Sequence, residues 1–223
     1  MNIDFDFRLL DVSLELYALE DFLETMEKQI DLISNIEKIK LEDAIRKHNL
    51  NPDGWDYVEA KQNYEDRIEF LLPRFFRGPF LVSLYAVYEA AVTEIAHLIQ
   101  KRKGQAIALG DIRGNDFLDQ AKKYYRHILQ FELCDNNAAW QQIIMLSEIR
   151  NAIAHTNGRL EMLKKTSRDR ILNWEKGKIG IESHRGYILV DRDFVRNIFS
   201  SVQTTLSKLV ERYKQWDSST KSA

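Results

Sequence analysis

The feature that most restricts how this chain can fold is a long apolar stripe at helical spacing with almost nothing to break it. Between Leu9 and His48 the residues Leu19, Leu23, Met26, Ile30 and Ile33 follow one another at steps of four, three, four and three, the repeat of a helix packed in a bundle or coiled coil. Only nine glycines and three prolines occur in 223 residues, so turns are few and elements long. With 44% hydrophobic residues, a chain of this length buries a substantial core, as one domain or two small ones.

Punctuation along the chain divides it into further helices. Asn51-Pro52-Asp53-Gly54 is a turn, and Trp55 opens a second helix with Val58, Ile68, Leu71 and Leu72 as core candidates. Pro73 and Gly78-Pro79 are expected to interrupt the helical pattern twice. From Phe80 to about Lys101 a third helix is apolar on most sides, through Leu81, Leu84, Tyr85, Tyr88, Val92, Ile95 and Ile99, which marks it as the most buried. Gly104 to Gly114 reads as a loop. Asn115 or Asp116 then caps a fourth helix carrying Tyr124 and Tyr125, and a fifth runs from Ala138 to about His155, stopped by Asn157-Gly158.

After a helical stretch around Leu160–Trp174, two β-like runs, Lys178–Glu182 and Tyr187–Val190, are bridged by Ser183-His184-Arg185-Gly186 as a hairpin. Asp191 or Asp193 begins a last helix through Phe199, Leu206 and Val210 to Trp216, and residues 217–223 read as a frayed tail. With no repeat and no low-complexity linker, the expectation is an all-α helical bundle of long antiparallel helices with a small appended β-hairpin near residues 178–190. It forms one domain over residues 1–216, with acidic N-terminal helices (1–70), a core (79–216) and a key helix at 138–156.

Composition narrows the chemistry. The single cysteine, Cys134, excludes an intrachain disulfide and a cysteine-based zinc site, and no histidine pair has metal-ligand spacing with carboxylates, so no metal or cofactor is expected. No charged-then-apolar leader opens the sequence and no uninterrupted apolar run has the length of a membrane span, so a soluble, cytoplasmic chain without membrane contact is expected. The net charge of −2 hides a polarity: residues 1–70 carry 8 Lys/Arg against 18 Asp/Glu, residues 101–178 carry 15 against 9. The basic half can attract phosphates, although a solvated helix surface explains the same excess.

Within that basic half stands Arg150-Asn151-Ala152-Ile153-Ala154-His155. For a chain with 16 Arg, 12 Asn and 5 His, an Arg followed five positions later by His arises ~0.35 times by chance, and adding the adjacent Asn lowers this to ~0.02. At roughly 100° per residue, Leu146, Ile149 and Ile153 form the core-facing arc of the helix. Asn151 and His155 share the opposite face with Ile144, and Arg150 lies about 140° around the axis from His155. One helix therefore carries half of a site. A second copy packed about a two-fold axis supplies the missing partner.

The run Glu148-Ile149-Arg150-Asn151-Ala152-Ile153-Ala154-His155-Thr156-Asn157-Gly158 resembles the signature of the HEPN domains. These are small all-α proteins marked by Arg, usually followed by a polar residue such as Asn, with His four to six residues after the Arg. The helix from Pro79 to Ile99, with Glu89 in its middle, resembles that family's long central helix. The likeness is specific over about 20 residues and architectural elsewhere; it does not extend to the first 70 residues or the hairpin.

That resemblance implies a metal-independent endoribonuclease, a homodimer with both signature helices lining one cleft, of the toxin or anti-phage defence type. An antitoxin or a minimal nucleotidyltransferase is the implied neutralising partner. His155 would move the proton of a 2′-hydroxyl or of the leaving 5′-oxygen, Arg150 would stabilise the phosphate, Asn151 would orient His155 or the phosphate, and Glu148 and Glu89 would support them. Independently of the family, His155 sits in the last helical turn, where the dipole favours a cationic side chain.

Lys164, Lys165, Arg168 and Arg170 are the most plausible RNA phosphate contacts, and Tyr124 and Tyr125 read as core ahead of base-stacking platforms. His97 reads as a core histidine and His127 as part of a solvated basic face. Plain readings exist as well: Arg150 as a surface ion pair, His155 as a helix cap, Asn151 as a surface amide. The alternatives to a nuclease are a catalytically silent helical module that binds RNA or a protein, and a structural bundle in which the hexad is coincidental.

Overall fold

In the computed structural model, residues 7–221 are described, with side chains from residue 11 to residue 220. The chain is an all-α bundle with one small antiparallel hairpin. Its elements are α1 (Phe7–His48), α2 (Trp55–Glu65), α3 (Leu72–Lys103), α4 (Phe117–Lys123), α5 (Asn137–Thr156), α6 (Lys165–Lys176), β1 (Ile181–His184), β2 (Tyr187–Val190) and α7 (Arg192–Lys221). π-helical turns lie at Asp66–Leu71 and Tyr124–Leu129, and 3-10 turns at Leu109–Asp111 and Leu160–Met162. Helix α7 runs through the stretch expected to be a frayed tail as far as Lys221; residues 222–223 lie outside the described residues.

The prolines do not interrupt the helix. From Trp55 to Lys103 the helical backbone is continuous, 49 residues long. Pro73 follows a π-helical turn that closes with the amide of Leu72 donating to the Arg67 carbonyl, so the mismatch at the proline is absorbed by a wider turn. Pro79 sits inside α3. An interior proline costs about 3 kcal/mol, but fully burying each of Phe80, Leu81 and Leu84 returns roughly 1.5–3 kcal/mol, and the helix persists. By length and composition this stretch contains a window apolar enough to cross a membrane, and half of that window is buried inside the protein.

The chain divides into two compact units. Among the described residues, the first comprises 7–19, 83–148 and 197–221. Its core is made by Tyr85, Tyr88, Val92, Ile95 and Ile99 of α3, Leu118 and Ala121 of α4, Tyr124, Tyr125 and Leu129 of the π turn, Ile143 and Leu146 of α5, and Ile198, Val202, Leu206 and Leu209 of α7. Tyr124 and Tyr125 are core, as the sequence suggested: their hydroxyls donate to the Ile107 and Val92 carbonyls at 2.8 and 2.7 Å. Asp116 caps α4 by accepting from the Asp119 amide at 2.8 Å. His97, expected in the core, is exposed on α3 instead.

The second unit comprises residues 20–82 and 149–196. Leu23, Met26 and Ile30 of the α1 stripe are buried here, but the stripe fades at half-buried Ile33, and Ile36 and Ile39 are exposed. Helix α2 buries no side chain; of its expected core residues Val58 is exposed, as is Leu71 in the following π turn, whereas Ile68 is buried and Leu72 half-buried. A moderately apolar face with no neighbour to cover it stays wet whatever its periodicity.

Glu27 is the polar centre of this unit and is only 2% exposed. Arg77 grips it with two bonds of 2.8 and 2.9 Å, Arg192 adds a third at 2.9 Å, and Arg77 also donates to the Val190 carbonyl at 3.2 Å. Arg192 reaches Asp31 as well. Burial opposes the Glu27 charge, but the two guanidiniums outweigh it and hold the carboxyl below its ordinary range. The knot ties α1, α3, the end of β2 and the start of α7 together.

The hairpin is tighter than the sequence suggested. Ser183 and His184 belong to β1, and the turn is only Arg185-Gly186, with φ of 52° and 79°, the double left-handed geometry of a two-residue turn whose twist matches its strands. Gly180, at φ 86°, has no room for a side chain: a Cβ there would meet Asp191 Oδ1 at 2.4 Å. Asp191 needs that place because Oδ1 accepts from the Phe194 amide at 2.7 Å and so caps α7.

Candidate functional site

The last turns of α5 are held by their C-terminal end. Thr156 Oγ1 donates back to the Ala152 carbonyl at 2.7 Å, and the Gly158 amide donates to the same carbonyl at 3.1 Å. Asn157 and Gly158 take φ of 53° and 77°, so the helix ends where the Asn-Gly pair predicted, in a left-handed cap. The next residues clip onto the hairpin: Ile188 N donates to Gly158 O and Leu160 N to Gly186 O, both at 2.9 Å. From α3, Arg74 Nη2 donates to the Asn157 carbonyl at 3.0 Å. A guanidinium therefore faces the carbonyl end of α5, where positive charge is favoured.

On this clamped end the signature residues take unequal places. Ile149 and Ala152 are buried, Ile153 is half-buried, Arg150 and Asn151 are half-buried, and His155 is exposed. Arg150 Nη1 donates to Asn151 Oδ1 at 2.8 Å. The amide expected to orient His155 or the phosphate accepts from the arginine; no hydrogen-bond partner of His155 occurs among the described residues. Cation and amide thus form one hydrogen-bonded pair. Glu148 and Glu89, expected to support these residues, are both half-buried.

The basic run lies on α6. Lys164 is the residue before its first turn, Lys165 opens it, both are exposed, Arg168 is half-buried and Arg170 is exposed. The first turn has no acidic residue and no side-chain cap. Cations at the positive end of a helix act against its dipole and cost several tenths of a kcal/mol each. Such an end, with unsatisfied amides and added positive charge, is well suited to an anion.

Three cationic residues that no sequence pattern marked meet at the hairpin. Arg74 lies over the Tyr187 ring at 4.0 Å from its centroid, Arg159 donates to the Tyr187 hydroxyl at 2.9 Å, and Arg185 forms a paired contact with Asp66, one bond at 2.9 Å. Arg185 holds the Asp66 carboxyl below its ordinary range by that hydrogen bonding. Phe70 packs on Tyr187 and on His184, with centroids 5.5 and 5.2 Å apart. Separations of tens of residues hide this cluster from any local motif; only the Tyr187 β-run hinted at an aromatic here. A small cleft of about 50 Å³ opens beside it, lined by Arg74, Gly78, Ile153 and Asn157.

Comparison with protein-family models, with curated proteins and with solved structures yields no match.

Proposed function

We propose that this chain is a metal-independent endoribonuclease of the HEPN type, acting as a homodimer whose two α5 ends line one RNA cleft. The observation that carries the reading is the end of α5: an arginine joined to an amide, and an exposed imidazole one turn on, on a helix terminus clamped by the hairpin and Arg74. Fixed placement of a proton-transfer group and a phosphate-binding cation is what such chemistry demands.

In this mechanism His155 of one subunit takes the proton of a 2′-hydroxyl. The freed oxygen attacks the adjacent phosphorus, the bond to the 5′-oxygen breaks, and the leaving oxygen takes up a proton, giving a 2′,3′-cyclic phosphate and a 5′-hydroxyl. Arg150 neutralises charge on the non-bridging oxygens, and Asn151 holds Arg150 ready to do so. Lys164, Lys165, Arg168 and Arg170 hold neighbouring phosphates. The toxin or defence setting, a cytoplasmic location and neutralisation by an antitoxin or nucleotidyltransferase-like partner go with this reading.

The test is cleavage of end-labelled RNA in EDTA by the native chain, His155→Ala and Arg150→Ala, with oligomeric state measured by light scattering. The expected result is a dimer whose cleavage falls roughly a hundredfold or more in either variant. Cleavage that survives both substitutions overturns the proposal. One observation favours a second reading, a catalytically silent module that binds RNA or a protein: Arg150 is engaged with Asn151 at 2.8 Å. A folded dimer that binds RNA but cuts none is the outcome that selects it.

A further inference from the structure

A cavity of about 450 Å³ in the first unit takes no part in the ribonuclease reading. It opens where the π turn Tyr124–Leu129 ends. Gln130 there has φ of 50°, a left-handed backbone that a non-glycine residue adopts at a cost. π turns and such outliers gather at functional sites.

The cavity is also preformed. Its floor loop is held by two cations from neighbouring helices: Lys103 Nζ donates to the Leu129 carbonyl at 2.5 Å, and Arg212 donates to the Leu133 carbonyl at 3.1 Å while pairing with Asp135 at 3.1 Å. Phe131 is fixed as a wall by Tyr125 and edge-on by Trp216, at centroid distances of 6.4 and 6.2 Å.

The chemistry of the lining is specific. Two half-buried aromatic rings, Phe131 and Trp140, offer apolar surface; two exposed cations, Lys122 and Arg126, outnumber the one exposed carboxylate, Glu132; and the amides of Gln130 and Asn137 supply donors and acceptors. Lys122 already rests over the Trp140 ring, 5.3 Å from its centroid, so ring and cation converge on one place. Aromatic walls take the face of a flat ring, cations take an anionic group, and amides take a ring's polar edge. The volume is within the range of small-molecule sites.

We infer that this cavity binds a planar aromatic anion of mononucleotide size, its ring against Phe131 and Trp140 and its anionic group on Lys122 and Arg126. Such chemistry reaches the cavity either as a free nucleotide or as one nucleotide of a single strand. Its residues are separate from the signature helix end, and the inference stands or falls independently of RNA cleavage.

Cys134 lines the same cavity, is partly exposed and is the only cysteine of the chain, which gives a direct readout. The experiment follows alkylation of Cys134 by iodoacetamide by mass spectrometry, with calorimetry in parallel, using AMP, adenosine and inorganic phosphate as probes. AMP is expected to slow alkylation and to bind roughly tenfold or more tighter than either fragment. Arg126→Glu and Lys122→Glu, both at exposed positions that leave the core intact, are each expected to weaken AMP binding by roughly tenfold or more. A short 2′-deoxyoligonucleotide, which lacks the 2′-hydroxyl needed for self-cleavage, separates the sources: tighter binding than AMP supports a strand, weaker binding supports a free nucleotide. No protection by millimolar AMP, equal binding of adenosine, or AMP binding unchanged by both charge reversals overturns the inference.

Discussion

Two sets of cations in the second unit differ in sequence spacing and in what holds them. Arg74, Arg77, Arg185 and Arg192 are scattered through the sequence, yet each is tied down: to the Asn157 carbonyl and Tyr187, to Glu27 and the Val190 carbonyl, to Asp66, and to Glu27 and Asp31. Lys164, Lys165, Arg168 and Arg170 form a visible run, and its two lysines are exposed. An arginine whose donors are consumed by buried or fixed acceptors builds the fold, because removing it strands a partner. A cation left at the surface contributes little to stability and keeps its charge for a ligand. The contrast predicts that stability and RNA retention respond to different residues.

The largest effect is expected at the tightest knot. Glu27→Gln removes one charge from a buried group held by two guanidiniums and should cost about 3 kcal/mol, the usual penalty for leaving buried charge uncompensated. It should also change the response to acid. Glu27 is held below its ordinary value of 4.5 in the folded state, so the unfolded chain takes up the proton first. The stabilisation is therefore complete above about 4.5 and is lost as pH falls through the lowered value. Urea unfolding across an acid series should show this loss in the native chain and a flatter profile in Glu27→Gln. Identical profiles would break the assignment of Arg77 and Arg192 to architecture.

Arg74→Ala comes next. It removes a charge-assisted bond to the Asn157 carbonyl and a guanidinium stacked on Tyr187, together worth about 2 kcal/mol. Arg74→Lys should recover less than half, since an ammonium cannot stack and reach the carbonyl with the same fork. The loss should be local, with faster amide exchange at the end of α5 and in the hairpin, measured by hydrogen–deuterium exchange. Uniform exchange throughout the unit would show that Arg74 does not clamp the helix end.

What could be read in the sequence follows the range of the interaction. Local signals held: Asp116 caps α4, Asn157-Gly158 ends α5, and the Leu23, Met26 and Ile30 stripe is buried. Signals that depend on distant partners did not. Pro73 and Pro79 were expected to break a helix that π widening and core burial sustain, and Val58 and His97 were placed in cores that no neighbour provides. The signature was legible as residue types, since its members lie within six positions, but the Arg150–Asn151 bond depends on rotamers. The clamp that holds it joins Arg74 to Asn157, 83 residues apart, and a single sequence carries no trace of it.

Asn151→Ala tests the middle ground between anchored and available cations. Arg150 loses its 2.8 Å acceptor, a part-buried hydrogen bond worth about 1 kcal/mol. If the bond serves to position Arg150, cleavage should fall with little change in RNA binding, and Asn151→Asp, which keeps the acceptor, should restore part of it. A variant that cuts RNA as well as the native chain would place Arg150 among the purely structural arginines.

The smallest stability effect, and the sharpest separation, is expected from Lys164→Glu with Lys165→Glu. These residues open α6 without an acidic neighbour or a side-chain cap in the first turn. Replacing cations by carboxylates there turns an unfavourable dipole interaction into a favourable one and should raise stability by a few tenths of a kcal/mol. If both lysines contact phosphates, retention of single-stranded RNA should fall, and the slope of log affinity against log salt should shrink by about 1.4. Opposite signs in the two measurements would confirm that these charges are kept for a ligand at the fold's expense. Loss of stability would show instead that the lysines belong with the anchored arginines. An unchanged salt slope would move the phosphate path off α6, leaving Arg159 at the Tyr187 hydroxyl as a cation to test next.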